Sequence, residues 1–275
     1  TYIKHNSAGG DYLQAAKADE LLSLSELPPE ERKEFRARVA LLVYLYESPD
    51  MINYGSGLFQ GNPNMPTARI SPFMAFLPLM SDHPMFEAWR KHMAQYAEYM
   101  MAYQTAPGGA YFEYGGYHMH GFERFTNSLP GLKRAGAPNA DAIATRYVLP
   151  DWKYVMNLLT PLDPRWGCRV VPGLANSPAL SVDSFLVAAK VAQDYDPELA
   201  ANLKWAWESN GKKIHANASL MPVDLKAKEP KLGSCILPGL GVVFRAHQGP
   251  DETYMLMRSG FLWSHWYIDP GRFFM

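Results

Sequence analysis

The feature that most constrains the fold is a change in hydrophobic pattern near Leu220. Before it, apolar residues recur at helical spacing in successive segments that end at prolines. After it come three short runs of β-branched and aromatic residues, separated by turn-forming Gly, Pro, Asp and Ser. These runs lie at 241–247, 253–258 and 261–263. The pattern predicts an α+β protein in which helix pairs precede an antiparallel sheet.

The helical part is predicted to contain several amphipathic helices. One begins after Pro28 and Pro29, and its apolar face is formed by Phe35, Val39, Leu42, Val43 and Tyr46. Another follows Asp82 and carries Phe86, Trp89, Met93, Tyr96 and Met100 on one face. Further helices are predicted at 141–159, with an interruption at Pro150, and at 181–194 and 197–208.

Composition narrows the possible functions. The 275 residues are 48% hydrophobic and carry a net charge of −1, with a pI near 6.7. This balance gives no global positive field for nucleic acid, and no apolar run approaches the length of a membrane span. Cys168 and Cys235 form neither a disulfide framework nor a metal pattern, so two buried thiols are expected. The ends at Thr1 and Met275 suggest a piece of a longer protein.

The densest group of titratable residues lies in the stretch 107–125, PGGAYFEYGGYHMHGFERF. A Gly-rich turn opens it, and the spacing of Phe122 and Phe125 predicts a helix after it. Tyr117, His118 and His120 are therefore placed where a loop becomes a helix, and all three can give or take protons. We interpret the glycines as allowing a large ligand to approach the backbone closely.

Two other loops contain candidate binding residues. The loop 54–66 is rich in Gly, Pro and Asn, and its Asn62 and Asn64 flank a proline that keeps the backbone extended. The loop 164–173 places Trp166 between Arg165 and Arg169. An aromatic plane with guanidinium groups can hold a sugar face and a carboxylate.

Several segments together resemble a known family. They are GLGVVFR at 239–245, TYMLMR at 253–258 and SHWYIDPGRF at 264–273, together with YFEYGGY at 111–117 and GNPN at 61–64. In this order they are similar to heparinase II/III-like polysaccharide lyases. The resemblance implies an incomplete (α/α) toroid over 1–220, followed over 221–275 by the first strands of an antiparallel β-sandwich.

The resemblance also implies roles for individual residues. Tyr117 matches the family's catalytic tyrosine, and His265 matches a catalytic histidine of the sheet domain. Asn64 or Asn62 stands where the family neutralises the substrate carboxylate. The remaining predicted substrate-binding residues are Glu113, His118, His120, Arg165, Trp166, Arg169 and Tyr267.

One departure concerns metal. Several members of the family have a second His two residues after the catalytic one, often bound to a structural metal, whereas this chain has Tyr267. No cofactor is therefore expected. The resemblance implies an acidic polysaccharide as partner, no nucleic acid or membrane partner, and a secreted or periplasmic location.

Lyases of this kind cleave uronic-acid polymers by β-elimination. The charge of the uronate carboxylate must be offset, a base must remove the C5 proton, and an acid must protonate the leaving O4. An amide such as Asn64 suits the first task. Tyr117 suits proton transfer, but a free phenol has a pKa of about 10 and would need a nearby cation, for which His118, His120 and Arg165 are candidates.

Two other functions compete with this one. A glycoside hydrolase needs paired carboxyl groups, which Glu113 and Glu123, or Asp269, could provide. A non-catalytic glycan-binding module would keep the aromatic and arginine residues without requiring Tyr117, His265 and an Asn to converge. A Ser or Cys nucleophile is disfavoured, because no GxSxG motif is present and neither cysteine has a His neighbour.

Overall fold

The computed structural model describes residues 28–47, 63–113, 116–165, 167–173, 184–209, 225–247, 249–262 and 272–275. The chain divides into two compact units. The first unit comprises Thr1–Tyr103 and Arg124–Ile143, and the second comprises Gln104–Glu123 and Ala144–Met275.

The first unit is helical. Its elements are α1 (Pro29–Tyr46), α2 (Asn64–Phe76), a 3₁₀ turn (Leu77–Met80), α3 (Phe86–Gln104, whose last residue belongs to the second unit), the later part of α4 (Gly116–Arg134) and α5 (Ala140–Ile143). The predicted face of α3 is largely confirmed, since Trp89, Met93 and Met100 are buried while Phe86 and Tyr96 are half-buried.

The predicted apolar face of α1 is only partly correct. Val39 and Val43 are buried, but Leu42 is 40% exposed, and its neighbours Leu41 and Tyr44 are also exposed. The core-facing stripe of α1 is therefore narrower than its apolar content predicts. The apolar residues of this helix extend around it beyond the face that the described residues cover.

Helices α2 and α4 approach each other closely at Gly131. A Cβ atom at this position would lie 2.3 Å from the carbonyl oxygen of Met74 and 2.8 Å from Cα of Ala75. Real Cβ atoms do not come so close to backbone, so only glycine allows this contact. The contact explains why a residue of poor helix propensity stands within α4.

The second unit contains helices and a sheet. A π-helical segment (Ala144–Val148) leads into α6 (Leu149–Met156), and α7 (Phe185–Ala192) and α8 (Pro197–Glu208) follow. The predicted interruption at Pro150 takes the form of this π segment, because a proline cannot donate the usual helical hydrogen bond and its ring crowds the preceding turn. Trp152 and Phe185 are fully buried and meet edge to face, with ring centroids 5.6 Å apart.

The sheet has four antiparallel strands in the order β1–β2–β3–β4: Cys235–Leu237, Gly241–Ala246, Thr253–Arg258 and Arg272–Phe274. Val243 pairs with Leu256, and Leu256 in turn pairs with Phe274. Leu237, Val243 and Leu256 are buried, whereas Ile236 and Phe244 are exposed. This alternation gives the sheet one buried and one open face.

The α+β prediction is confirmed, as are strands at 241–246 and 253–258. Strand β1 was not predicted, and Phe261 and Leu262 do not form the expected third strand. Cys168 and Cys235 are free thiols but are partly exposed rather than buried, which corrects the expectation. The predicted domain boundary near residue 220 lies outside the described residues. Within the described part of the chain, no helix is long and apolar enough to span a bilayer.

Candidate active site

The Gly-rich turn before α4 is a short hairpin. Thr105 pairs with Tyr111, and the amide of Ala106 donates to the carbonyl of Ala110 at 2.7 Å. Gly108 and Gly109 both have φ of +94°, a conformation that glycine adopts readily. The hairpin therefore depends on glycine for its shape.

These two glycines do not open the backbone to a ligand, which corrects our interpretation of them. A Cβ on Gly108 would lie 2.8 Å from Pro238, and one on Gly109 would lie 2.6 Å from Pro150. Proline rings of the protein occupy the space in front of both residues. Because Gly108 and Gly109 have no side chains, the hairpin can pack directly against these two prolines.

The predicted catalytic tyrosine lies in the first turn of a helix. Helix α4 begins at Gly116, so Tyr117 and His118 do stand where a loop becomes a helix, as predicted. Tyr117 is half-buried, and Glu113 at the end of the hairpin is fully buried. His120 lies in the same helix, but its side chain is outside the described part of the structure.

His118 forms a buried pair with Asp151 of α6. Its Nε2 lies 2.5 Å from Oδ2 of Asp151, and the two side chains are 3% and 1% exposed. The other carboxylate oxygen, Oδ1, accepts the backbone N–H of Tyr111 at 2.7 Å. Both oxygens of Asp151 are thus hydrogen-bonded, as a buried carboxylate requires.

Three aromatic rings surround the imidazole of His118. Phe122 stacks on it with centroids 5.1 Å apart, while Tyr111 and Trp152 meet it edge to face at 5.9 and 5.8 Å. Together with the bond to Asp151, these contacts fix the orientation of the ring.

Asp151 is a residue that sequence reasoning missed. It follows Pro150 and precedes Trp152 in an apolar helix, where a carboxylate would be placed in the core. This position could have identified Asp151 from the sequence, because a carboxylate on the buried face of a helix needs a specific partner.

The predicted carboxylate-neutralising residue Asn64 lies in the first unit. It is the first residue of α2, directly after Pro63, and is buried with 7% of its surface exposed. The predicted long loop therefore ends earlier than residue 66. Asn62 and the sheet-domain residues His265, Tyr267 and Asp269 lie outside the described residues, so their placement stays a prediction.

The two predicted arginines have different environments. Arg165 is exposed and binds Asp163 of its own loop, with Nη2 2.7 Å from Oδ2. This bond holds the pKa of the Asp163 carboxyl below its usual value. Arg169 is buried, and its Nη1 donates to the carbonyl of Thr160 at 2.9 Å and to Glu252 at 3.0 Å.

Arg169 belongs to a buried ion network that joins the sheet to the helical segment of the second unit. Glu252 also binds Arg245, whose Nη2 donates to the carbonyl oxygens of Asn157 and Leu159. The guanidinium of Arg169 lies 5.0 Å from the ring centroid of Trp205. These contacts give Arg169 a structural role, and its binding of substrate stays a prediction, as does that of Trp166, which lies outside the described residues.

The described residues contain no cluster of three or more His, Cys, Asp or Glu side chains arranged to hold a metal ion. Among the described residues of the stretch 107–125, Tyr117, Glu113 and His118, which pairs with Asp151, carry groups that can give or take protons. A half-buried phenol at the start of a helix can take part in proton transfer.

Comparison with known proteins identifies the fold. No protein-family model and no curated protein matches the chain. Two solved structures of heparinase III do. One, determined with methylated lysines, has a TM-score of 0.63 at 15% identity over 98% of this chain. The other has a TM-score of 0.59 at 13% identity over 94% of this chain.

The chain spans 38% and 44% of the lengths of these two structures. The likeness shows a heparinase-like α+β fold, so the resemblance seen in the sequence is confirmed at the level of fold.

Proposed function

We propose that the protein is a polysaccharide lyase that cleaves a uronic-acid-containing polysaccharide, such as alginate or a glycosaminoglycan, by β-elimination. The observation that carries the proposal is the fold likeness to two heparinase III structures over nearly the whole chain. The motifs at 61–64, 111–117 and 264–273 occur in the order expected for lyases with this fold. A secreted or periplasmic location belongs to the same proposal.

In the proposed reaction, a base removes the proton at C5 of the uronate and leaves an enolate-like intermediate. The C4–O4 bond then breaks as the C4–C5 double bond forms, and an acid protonates the departing O4. Tyr117 and His265 are assigned to these proton transfers. Asn64, or Asn62, donates hydrogen bonds to the substrate carboxylate, which stabilises the enolate-like intermediate that develops between the two steps.

The position of Tyr117 supports its assignment. It is half-buried in the first turn of α4, so its phenol is placed by a regular element rather than by a loop. Of the groups suggested to assist the phenol, His118 pairs with Asp151 and Arg165 pairs with Asp163. In the proposal, His265 shares the proton transfers with Tyr117.

The substrate is proposed to be lightly sulfated or unsulfated. Sulfate recognition generally relies on clustered Lys and Arg side chains. Of the two arginines singled out in the sequence, Arg169 is buried in an ion network and Arg165 binds a neighbouring aspartate. Neither arrangement favours a densely sulfated chain over alginate-like polymers.

Ultraviolet absorbance during incubation with a panel of uronate polymers tests the proposal. β-Elimination leaves a double bond conjugated to the carboxylate, which absorbs, whereas hydrolysis does not create one. Rising absorbance with one polymer is the expected result. New reducing ends without absorbance would indicate a hydrolase and direct attention to Glu113 and Glu123, and binding without either signal would indicate a glycan-binding module.

A further inference from the structure

Asp151 and His118 hold both ends of the segment that carries the candidate acid–base residues. Oδ1 of Asp151 accepts the amide of Tyr111, and Oδ2 accepts Nε2–H of His118. Tyr111 and His118 flank the segment 112–117, which contains Glu113 and Tyr117. One carboxylate from α6 therefore bonds both the end of the hairpin, at Tyr111, and the first turn of α4, at His118.

The surroundings of this carboxylate are closely packed. Asp151 follows Pro150, against which Gly109 of the hairpin packs too closely for any side chain. His118 is enclosed by Tyr111, Phe122 and Trp152. Because the pair is almost fully buried, water does not compete for its hydrogen bonds, and the tie between hairpin and helix is strong.

We propose that Asp151 and His118 are positioning residues for Tyr117. The pair holds the hairpin and the first turn of α4 at a fixed separation, so the Tyr117 phenol meets the substrate in one location. The proposal rests on the lyase function proposed above. Because a misplacement of about 1 Å can lower a rate about 100-fold, such a tie matters for turnover far more than for binding.

Asp151→Ala tests whether the hydrogen bonds that Asp151 accepts from Tyr111 and His118 hold the hairpin and helix α4 in place. The variant removes the shared acceptor, so hydrogen exchange of the backbone amides at 111–118 is expected to become faster. We expect kcat per folded molecule to fall about 10- to 100-fold with KM changed less than about twofold. Folding is checked by circular dichroism, and rates are measured well below the melting temperature of each variant.

A pair of His118 variants provides an independent test, and replaces the first if Asp151→Ala does not fold. In His118→Gln the amide nitrogen can reach the position of Nε2 and donate to Asp151, whereas His118→Leu cannot donate. We expect His118→Gln to keep kcat within about threefold of the wild type and His118→Leu to lose it like Asp151→Ala.

Glu47→Ala is the control, because Glu47 forms another carboxylate–histidine pair, in the first unit, in which the carboxylate is buried and the imidazole of His92 is exposed. The Glu47 side chain is 7% exposed, and its Oε2 lies 2.8 Å from Nδ1 of His92. This variant is expected to leave the exchange of 111–118 and kcat per folded molecule unchanged.

The proposal is overturned if Asp151→Ala leaves exchange at 111–118 unaltered, or speeds it without changing kcat. A raised KM with unchanged kcat also contradicts it, since that would make Asp151 a binding rather than a positioning residue. If the wild type shows no elimination with any uronate polymer, the lyase proposal fails. The exchange experiment then still decides whether the tie exists.

Discussion

At the scale of single residues, the second unit contains several buried charged groups that have partners within the protein. Asp151, Arg169 and Glu252 are each nearly excluded from solvent and hydrogen-bonded to groups distant in sequence. Removing one member of such a group leaves the other uncompensated in a medium of low polarity. Their first effect is thus on stability and geometry.

Arg169→Ala is expected to lower the free energy of unfolding by about 3 kcal/mol. This is the lower end of the usual cost of breaking a buried pair, because Arg245 still binds Glu252 after the change. Arg165→Ala is the matched control, since its exposed pair with Asp163 should leave the unfolding midpoint unchanged. Urea denaturation of both variants checks this, and equal stabilities would refute the structural role of Arg169.

Two buried phenols make the second unit sensitive to alkali. Burial raises the pKa of Tyr154 and of Tyr254 well above the usual value of 10.0. Their hydroxyls donate to the carbonyl oxygens of Pro238 and Leu158. Because the folded pKa is the higher one, the stabilisation is full below the unfolded pKa and is lost as pH rises above it.

The melting temperature of Tyr254→Phe should therefore fall less than that of the wild type between about pH 9 and about pH 11. These two values lie on either side of the usual phenol pKa of about 10. At neutral pH the substitution should lower the free energy of unfolding by about 1 kcal/mol, which is the usual contribution of one hydrogen bond. Tyr103→Phe, which removes an exposed phenol, should retain the wild-type alkaline response. An unchanged alkaline response in Tyr254→Phe would show that its phenol does not contribute.

At this scale the sequence singled out Tyr117 and His118, whose functional roles stay predictions, but it did not single out Asp151. The phenol belongs to a motif with recognisable spacing, whereas Asp151 is far from that motif in sequence and is brought to it only by the fold. The different environments of Arg165 and Arg169 were likewise not predictable, since both follow from contacts that only the folded chain makes.

At the scale of elements, backbone approach depends on individual glycines. Gly131 lets α4 lie against α2, where the carbonyl of Met74 occupies the space a side chain would need. At a solvent-exposed position within a helix, replacing glycine by alanine stabilises the helix by about 1 kcal/mol, because alanine loses less backbone entropy on folding. At Gly131 the steric clash opposes this gain and is larger.

We expect Gly131→Ala to destabilise the first unit by about 2 kcal/mol, within the range found for overpacked sites. Gly233→Ala serves as control, because a Cβ atom added at Gly233 would have no other atom within 4 Å and no positive φ is required there. Thermal unfolding of the two variants compares them. A stabilised Gly131→Ala would mean that the helices separate easily.

The elements themselves were largely predictable. Hydrophobic spacing and proline stops predicted helices α1, α3, α7 and α8 and strands β2 and β3, because these signals are local. Strand β1 has only the residues Cys235–Leu237 and gains its conformation from pairing with β2, so its own sequence carries little signal. The exposed apolar residues of α1 could not be distinguished from core residues by periodicity alone.

At the scale of the whole molecule, the chain has a heparinase-like fold and spans less than half of each heparinase III structure compared. The helix-then-sheet order was readable from the sequence, because the period of the apolar pattern changes near residue 220. The division into two units was not readable, since α4 contributes to both and interleaves them along the chain.

The central claim is that Tyr117 takes part in β-elimination. The most direct test is ultraviolet absorbance with the polymer that the wild type cleaves, comparing Tyr117→Phe with the exposed-phenol control Tyr103→Phe. We predict that Tyr117→Phe loses at least about 100-fold in kcat, as expected when a general acid–base group is removed, while Tyr103→Phe is unchanged. Wild-type rates in Tyr117→Phe would contradict the account.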